Sequence, residues 1–170
     1  FRTLRILSGS RSPVSLRLAT RFRRSAAKRD PNRTLTLSGR DEAAVADEFR
    51  VLEGGRPWDP QKPAVIIVTH EASMTGAPVL ALNLGQELAG RYNVVFFVLG
   101  RGKLMDEFAA ASSLTLFADR FIAGSGTYRA MIRHATAKGP IAFAVVNSVE
   151  SHSVIPELGS ADLRVVTLIH

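Results

Sequence analysis

Three apolar, β-branched runs in this chain end abruptly in polar residues. Ala64 to Thr69 (AVIIVT) is followed by His70 and Glu71, Ile141 to Val146 (IAFAVV) by Asn147 and Ser148, and Leu163 to Ile169 (LRVVTLI) by His170. After the first run come Ala72, Ser73, Met74, Thr75 and Gly76, then a helical pattern. A strand, a loop of small polar residues and a helix in that order aim free backbone N–H groups at one edge of a sheet, where an anionic group can bind. His70, Ser73, Thr75, Gly76, Asn147, Ser148 and His170 are therefore the candidate site residues. A solvated or capping role is the competing reading for each polar strand end. For Gly76 the alternatives are a turn glycine or a position left bare so that a ligand can approach the helix.

Other patterns are weaker. The loop from His70 to Gly76 holds one glycine, so a dinucleotide fingerprint is absent, as is a Gly-Lys-Ser/Thr phosphate loop. Arg101, Gly102 and Lys103 read as a charged surface turn or a phosphate-binding loop. His134 and His152 have no metal-ligand spacing with another His or acid. His134 falls on a polar helix face and is expected to be exposed. Glu150 and His152 follow the strand that ends at Asn147 and are minor candidates.

The elements that must position these residues alternate. Strands are expected at Ala64 to Thr69, Val94 to Leu99, Leu114 to Phe117, Ile141 to Val146 and Leu163 to Ile169. Their continuous apolar character suits parallel strands covered on both faces. A helix is expected from about Ala77, with Pro78 in its first turn, Leu80, Leu84 and Leu88 as its buried stripe beside Ala77 and Ala81, and Gly90 as its C-cap. Further helices are expected over Lys103 to Ala110, over 127–138 and around 151–158, where Pro156 should sit near the first turn or kink the helix. The result is an α/β, Rossmann-like, doubly wound parallel sheet with strand order 3-2-1-4-5 and its switch point between the first and fourth strands. The polar ends of strands one, four and five then converge on one crevice.

The 170 residues carry a formal charge of +7, but unevenly. Residues 1–33 hold ten Lys/Arg against Asp30, a balance of +9, and the remainder twelve against fourteen acids, a balance of −2. Residues 1–40 read as a basic tail or linker. Val14, Leu18 and Phe22 fall at helical spacing among arginines, which suits an anionic membrane surface. Nucleic-acid contact lacks a binding module, and a solvated linker also fits. Residues 41–62 are expected to form a short helix (41–53, with Val45, Phe49 and Leu52 on one face) and a Pro/Gly linker in which Trp58 could pin the chain. The domain proper is then 63–170. Having no cysteine, the chain has no disulfide framework or thiolate metal site. No run approaches the roughly 20 apolar residues of a membrane span. The chain reads as a segment of a longer polypeptide.

IIVTHEASMTGAPVLALNLGQEL, VVFFVLGRGKLMDEF, VVNSVES with VIPEL, and VVTLIH together resemble the N-terminal half of a family 4 glycosyltransferase of the GT-B fold. The similarity covers about residues 62–170, and the Thr-Gly-Ala-Pro run after His-Glu points to a subgroup acting in cell-envelope polysaccharide synthesis. The resemblance implies retaining transfer of a sugar from a nucleotide-diphosphate donor to a glycan or lipid acceptor, without a metal or other cofactor. It implies that Gly76 admits the donor phosphate or acceptor, and that His170, as the catalytic candidate, hydrogen-bonds a hydroxyl of the donor sugar. The N-terminal domain of that family mainly holds the acceptor, and a C-terminal domain supplies most nucleotide contacts, so this piece alone is expected to be inactive. The expected location is cytoplasmic, peripheral at the inner face of the membrane through residues 1–33. The alternative is a non-catalytic Rossmann-like module binding a nucleotide or a protein.

Overall fold

The computed structural model describes residues 49–121 and 123–169. All lie in the second of the two units into which the chain divides, Ser38–His170. The basic segment, residues 41–48 of the expected short helix, and His170 lie outside the described residues.

The strands are β1 (Arg50–Glu53), β2 (Ala64–Thr69), β3 (Asn93–Val98), β4 (Leu114–Phe117), β5 (Ile141–Asn147) and β6 (Val165–Leu168). The helices are α1 (Gly76–Leu88), α2 (Met105–Ala111), α3 (Ser125–Lys138) and α4 (Ile155–Ser160), with a 3-10 helix at Val149–Val154 leading into α4. The sheet order is β1-β4-β3-β2-β5-β6. Strands β2 to β6 pair in parallel and β1 pairs antiparallel with β4. The five expected strands are thus β2 to β6 in the expected order, with the switch point between β2 and β5.

The apolar runs explain the winding. Every residue of β2, β3 and β4 is buried, and alternate residues serve opposite layers. Val65, Ile67, Val94 and Phe96 pack with Ala81 and Leu82 of α1 and Phe108 of α2. Ala64, Ile66, Val95 and Phe97 pack with Met131 and Ile132 of α3 and Leu158 of α4. Burying a side chain such as Ile66 or Phe96 fully contributes roughly 1.5–3 kcal/mol.

Four local expectations are corrected. Residues 50–53 form an edge strand, not the end of a helix, because pairing Arg50 with Phe117 and Glu53 with Leu114 satisfies the outer edge of β4. The sheet therefore begins at Arg50. The buried stripe of α1 is Pro78, Ala81, Leu82 and Gly85, whereas Leu80, Leu84 and Leu88 are half-buried. Small residues set this rotation: a Cβ on Gly85 would stand 2.2 Å from Cζ of Phe96, so the helix lies directly on that ring. The helix ends on Ala89 in right-handed helical geometry, and Gly90 is not used as a left-handed cap. His134 is half-buried, because Phe49 approaches it edge-on with ring centroids 6.1 Å apart.

The linker ahead of β2 is held by two side chains. Trp58 packs against the core layer shared with α3. Asn93, 2% exposed at the start of β3, accepts from the Asp59 N–H at 2.8 Å and donates to the carbonyls of Asp59 and Lys62 at 2.7 and 2.8 Å.

Candidate functional site

The candidate residues gather where the carboxyl ends of β2 and β5 lie side by side. Thr69 and Asn147 are register partners in the two strands, so His70 and Ser148 leave the sheet together. Asn147 is fully buried and donates from Nδ2 to the carbonyl of Ala77 at 2.6 Å. That bond ties the end of β5 to the first turn of α1.

The loop 71–75 is shaped from both sides. The Thr69 hydroxyl donates to the Glu71 carbonyl at 2.9 Å, and Ser73 donates to Oε1 of Glu71 at 2.5 Å. Ser73 and Thr75 share a hydroxyl–hydroxyl bond of 2.8 Å. Thr75 is the N-cap of α1 but makes no side-chain cap bond, leaving first-turn amides uncapped by it. A Cβ on Gly76 would meet nothing within 4 Å, and its backbone is outside the left-handed region. Neither packing nor conformation requires glycine there; the approach to the helix is open.

Beneath this loop lies the turn after β3. A Cβ on Gly102 would stand 2.1 Å from the carbonyl carbon of Ala72, and one on Gly100 2.8 Å from the His70 carbonyl oxygen. The Leu104 N–H donates to the Ala72 carbonyl at 2.8 Å. The guanidinium of Arg101 sits over the Phe117 ring, 5.3 Å from its centroid. The Arg101–Gly102–Lys103 turn therefore owes its glycine to close packing, and its arginine rests on an aromatic face.

His70 is 7% exposed. Its Nε2 lies 3.6 Å from Oε1 of Glu71 and 3.8 Å from Oε2 of Glu150, too far for hydrogen bonds but close enough for charge attraction. Glu150 in turn receives a 2.6 Å bond from Nη1 of Arg120, which follows β4. That bond, then the charge of a protonated His70, holds the Glu150 carboxyl below the usual glutamate range. Sequence patterning missed Arg120: it stands in an unremarked ADRF stretch, and only its place just beyond a strand's carboxyl end singles it out.

Two polar side-chain atoms at the switch point are buried with no hydrogen-bond partner, Nδ1 of His70 and Oδ1 of Asn147. An unsatisfied buried polar atom costs about 1–3 kcal/mol, and native chains carry few of them.

The remaining candidates have local roles. Ser148 has φ of 80°, a left-handed conformation rare outside glycine and asparagine, and its hydroxyl accepts from the Glu150 N–H at 3.3 Å as the 3-10 N-cap. Its backbone N–H donates to the Leu168 carbonyl at 3.1 Å. His152 is exposed, with Nδ1 2.8 Å from the carbonyl of Val149, one turn back. Among the described residues, no group of three or more His, Asp or Glu side chains could hold a metal ion.

The structure thus brings His70, Ser73, Thr75, Gly76 and Asn147 to the carboxyl edge of β2 and β5, adds Glu71, Glu150 and Arg120 there, and leaves Ser148 as a cap beside them. Such an arrangement can bind hydroxyl and anionic groups and offers an imidazole flanked by carboxylates for proton exchange. Comparison of the chain with protein-family models, curated proteins and solved structures finds no match. Fold and crevice define a Rossmann-like α/β domain with a polar cluster at its switch point.

Proposed function

We propose that the chain is the acceptor-side domain of a retaining glycosyltransferase that moves a sugar from a nucleotide-diphosphate donor to a cell-envelope glycan or lipid. One observation carries the reading: Asn147, at the switch point, is bonded to the first turn of α1, whose N-terminus is left open at Gly76. A helix N-terminus with unsatisfied amides attracts a diphosphate. Stabilising the charge that develops on that leaving group would supply most of the rate. Those charged contacts would come mainly from a second domain, with the acceptor held against loop 71–75 and the polar ends of β2 and β5. His170 would hydrogen-bond a donor hydroxyl in the transition state.

Among the described residues no helix is long and apolar enough to cross a membrane. The location proposed is cytoplasmic, with residues 1–33 against the inner membrane surface.

The test is transfer by the complete protein from a panel of nucleotide sugars. His170→Ala in that protein is expected to lower turnover while its melting temperature is unchanged. Equal losses in both would make His170 structural. Nucleotide-sugar binding with no transfer from any donor would remove the enzyme reading and leave a binding module.

A further inference from the structure

The two edges of the sheet are finished differently. At one, β1 (RVLE) begins and ends with a charge, Arg50 and Glu53, a device that discourages pairing with another chain. At the other, β6 carries no charge from Val165 to Leu168, and among the described residues no strand pairs with its outer side. The bonds to β5 show which backbone groups are left over. The Ala144 N–H donates to the Arg164 carbonyl at 2.8 Å, and the Ser148 N–H to the Leu168 carbonyl at 3.1 Å. Successive strand residues turn their N–H and C=O groups alternately to the two sides. Arg164, Val166 and Leu168 therefore face β5, while Val165, Thr167 and Ile169 turn theirs outward. The side chains of this strip are mostly apolar and open: Val166 is 48% and Ile169 78% exposed.

We propose that the outer edge of β6 pairs with β6 of a second copy of this chain, antiparallel about a two-fold axis through Thr167, giving one continuous sheet. The occupant is a copy because the strip is self-complementary. Val165-Val166-Thr167-Leu168-Ile169 has the same character read in either direction, two aliphatic residues on each side of a threonine. A two-fold contact demands this, since residue i meets j while j meets i. With Thr167 opposite its counterpart, Val166 meets Leu168 and Val165 meets Ile169, all favourable cross-strand pairs. Thr167 then exchanges both backbone bonds with its copy, and Val165 does so with Ile169. No charge within the strip faces a like charge. The net charge of +7 on the whole chain opposes association, which sets the sign of the salt effect. Such a dimer is independent of the glycosyltransferase reading.

Sedimentation equilibrium of the 170-residue chain is the test. A strip of five residues is far short of the roughly 20–30 a side of a standard interface, so a reversible dimer with a dissociation constant on the order of 100 μM is expected. Raising the salt concentration should tighten it by screening the net charge. Amide exchange at Val165, Thr167 and Ile169 should slow as protein concentration rises, while Val166, already bonded to β5, should not respond. Thr167→Pro removes only an outward N–H, which an edge strand tolerates, and is expected to weaken the dimer roughly tenfold or more with the circular dichroism spectrum unchanged. Should that variant fail to fold, Val166→Lys, which puts a charge on the exposed strip, is expected to weaken the dimer likewise. A chain that stays monomeric at millimolar concentration would overturn the proposal, as would a dimer indifferent to both substitutions or one dissolved by salt. A dimer of this chain that is lost in the complete protein would overturn it too, since β6 would then have a partner within its own chain.

Discussion

Arg120 and Glu150 meet at 2.6 Å across the carboxyl edge of the sheet, although they follow β4 and β5, which have β3 and β2 between them. The pair closes one side of the cluster around His70 and fixes the carboxylate that faces its Nε2. Lowered on folding, the Glu150 pKa contributes stability that is present above the unfolded value and lost as pH falls through the folded one. Arg120→Gln is expected to move the Glu150 titration midpoint up toward the ordinary 4.5, as read by carboxyl-carbon NMR. Overall stability should change little, since the pair is exposed. An unmoved midpoint would show that Arg120 does not set it.

Gly85 and Gly76 belong to the same helix and should respond oppositely to alanine. At Gly85 the new methyl would meet the buried Phe96 ring, itself packed on Phe108 with centroids 4.7 Å apart, so neither ring can yield. Thermal or urea denaturation is expected to show a loss of about 1–3 kcal/mol. At Gly76 there is open space, and alanine should be neutral or add up to about 1 kcal/mol through helix propensity. Should Gly76→Ala nevertheless weaken donor binding in the complete protein, the open approach is a ligand's.

Asn93→Ala removes three hydrogen bonds that hold residues 59–62 against the start of β3. At about 1 kcal/mol each, the expected destabilisation is roughly 2–4 kcal/mol. Protease cleavage within the linker should rise with it, and a variant as resistant as the parent would argue that Trp58 alone holds the segment.

Residues 1–33 are expected to increase binding to vesicles containing anionic lipid, with salt weakening the effect through charge screening. Sedimentation of the chain with and without this segment decides the matter. Binding that ignores salt, or no binding, leaves a linker.

The parts of the fold legible in the sequence were those whose burial is two-sided. AVIIVT and VVFFVL are buried at every residue, IAFAVV only from Ala144 onward, and the strand order follows from the alternation of strands and helices. One-sided elements were harder to read. FRVLE continues a helical spacing from Val45, yet its last four residues pair as an edge strand in which only Leu52 is partly buried. The stripe of α1 was misread because leucines outweigh glycine in any hydrophobic count, whereas close contact with Phe96 favours the side with no side chain. Strand-end logic put His70 and Asn147 at the carboxyl ends of two neighbouring strands, which is where they stand. The same logic extended to β4 would have found Arg120.

Because β1 runs against β4, Arg50 lies beside Phe117, at the end of the sheet that carries His70 and Asn147. Lys138 ends α3 just before β5 begins, at the far end. The chain has no cysteine, so a single thiol placed at either position takes one dye without background labelling. A dye at Arg50→Cys would share the crevice edge and sense an incoming ligand. Its counterpart at Lys138→Cys would stand on the other side of the sheet as an internal reference.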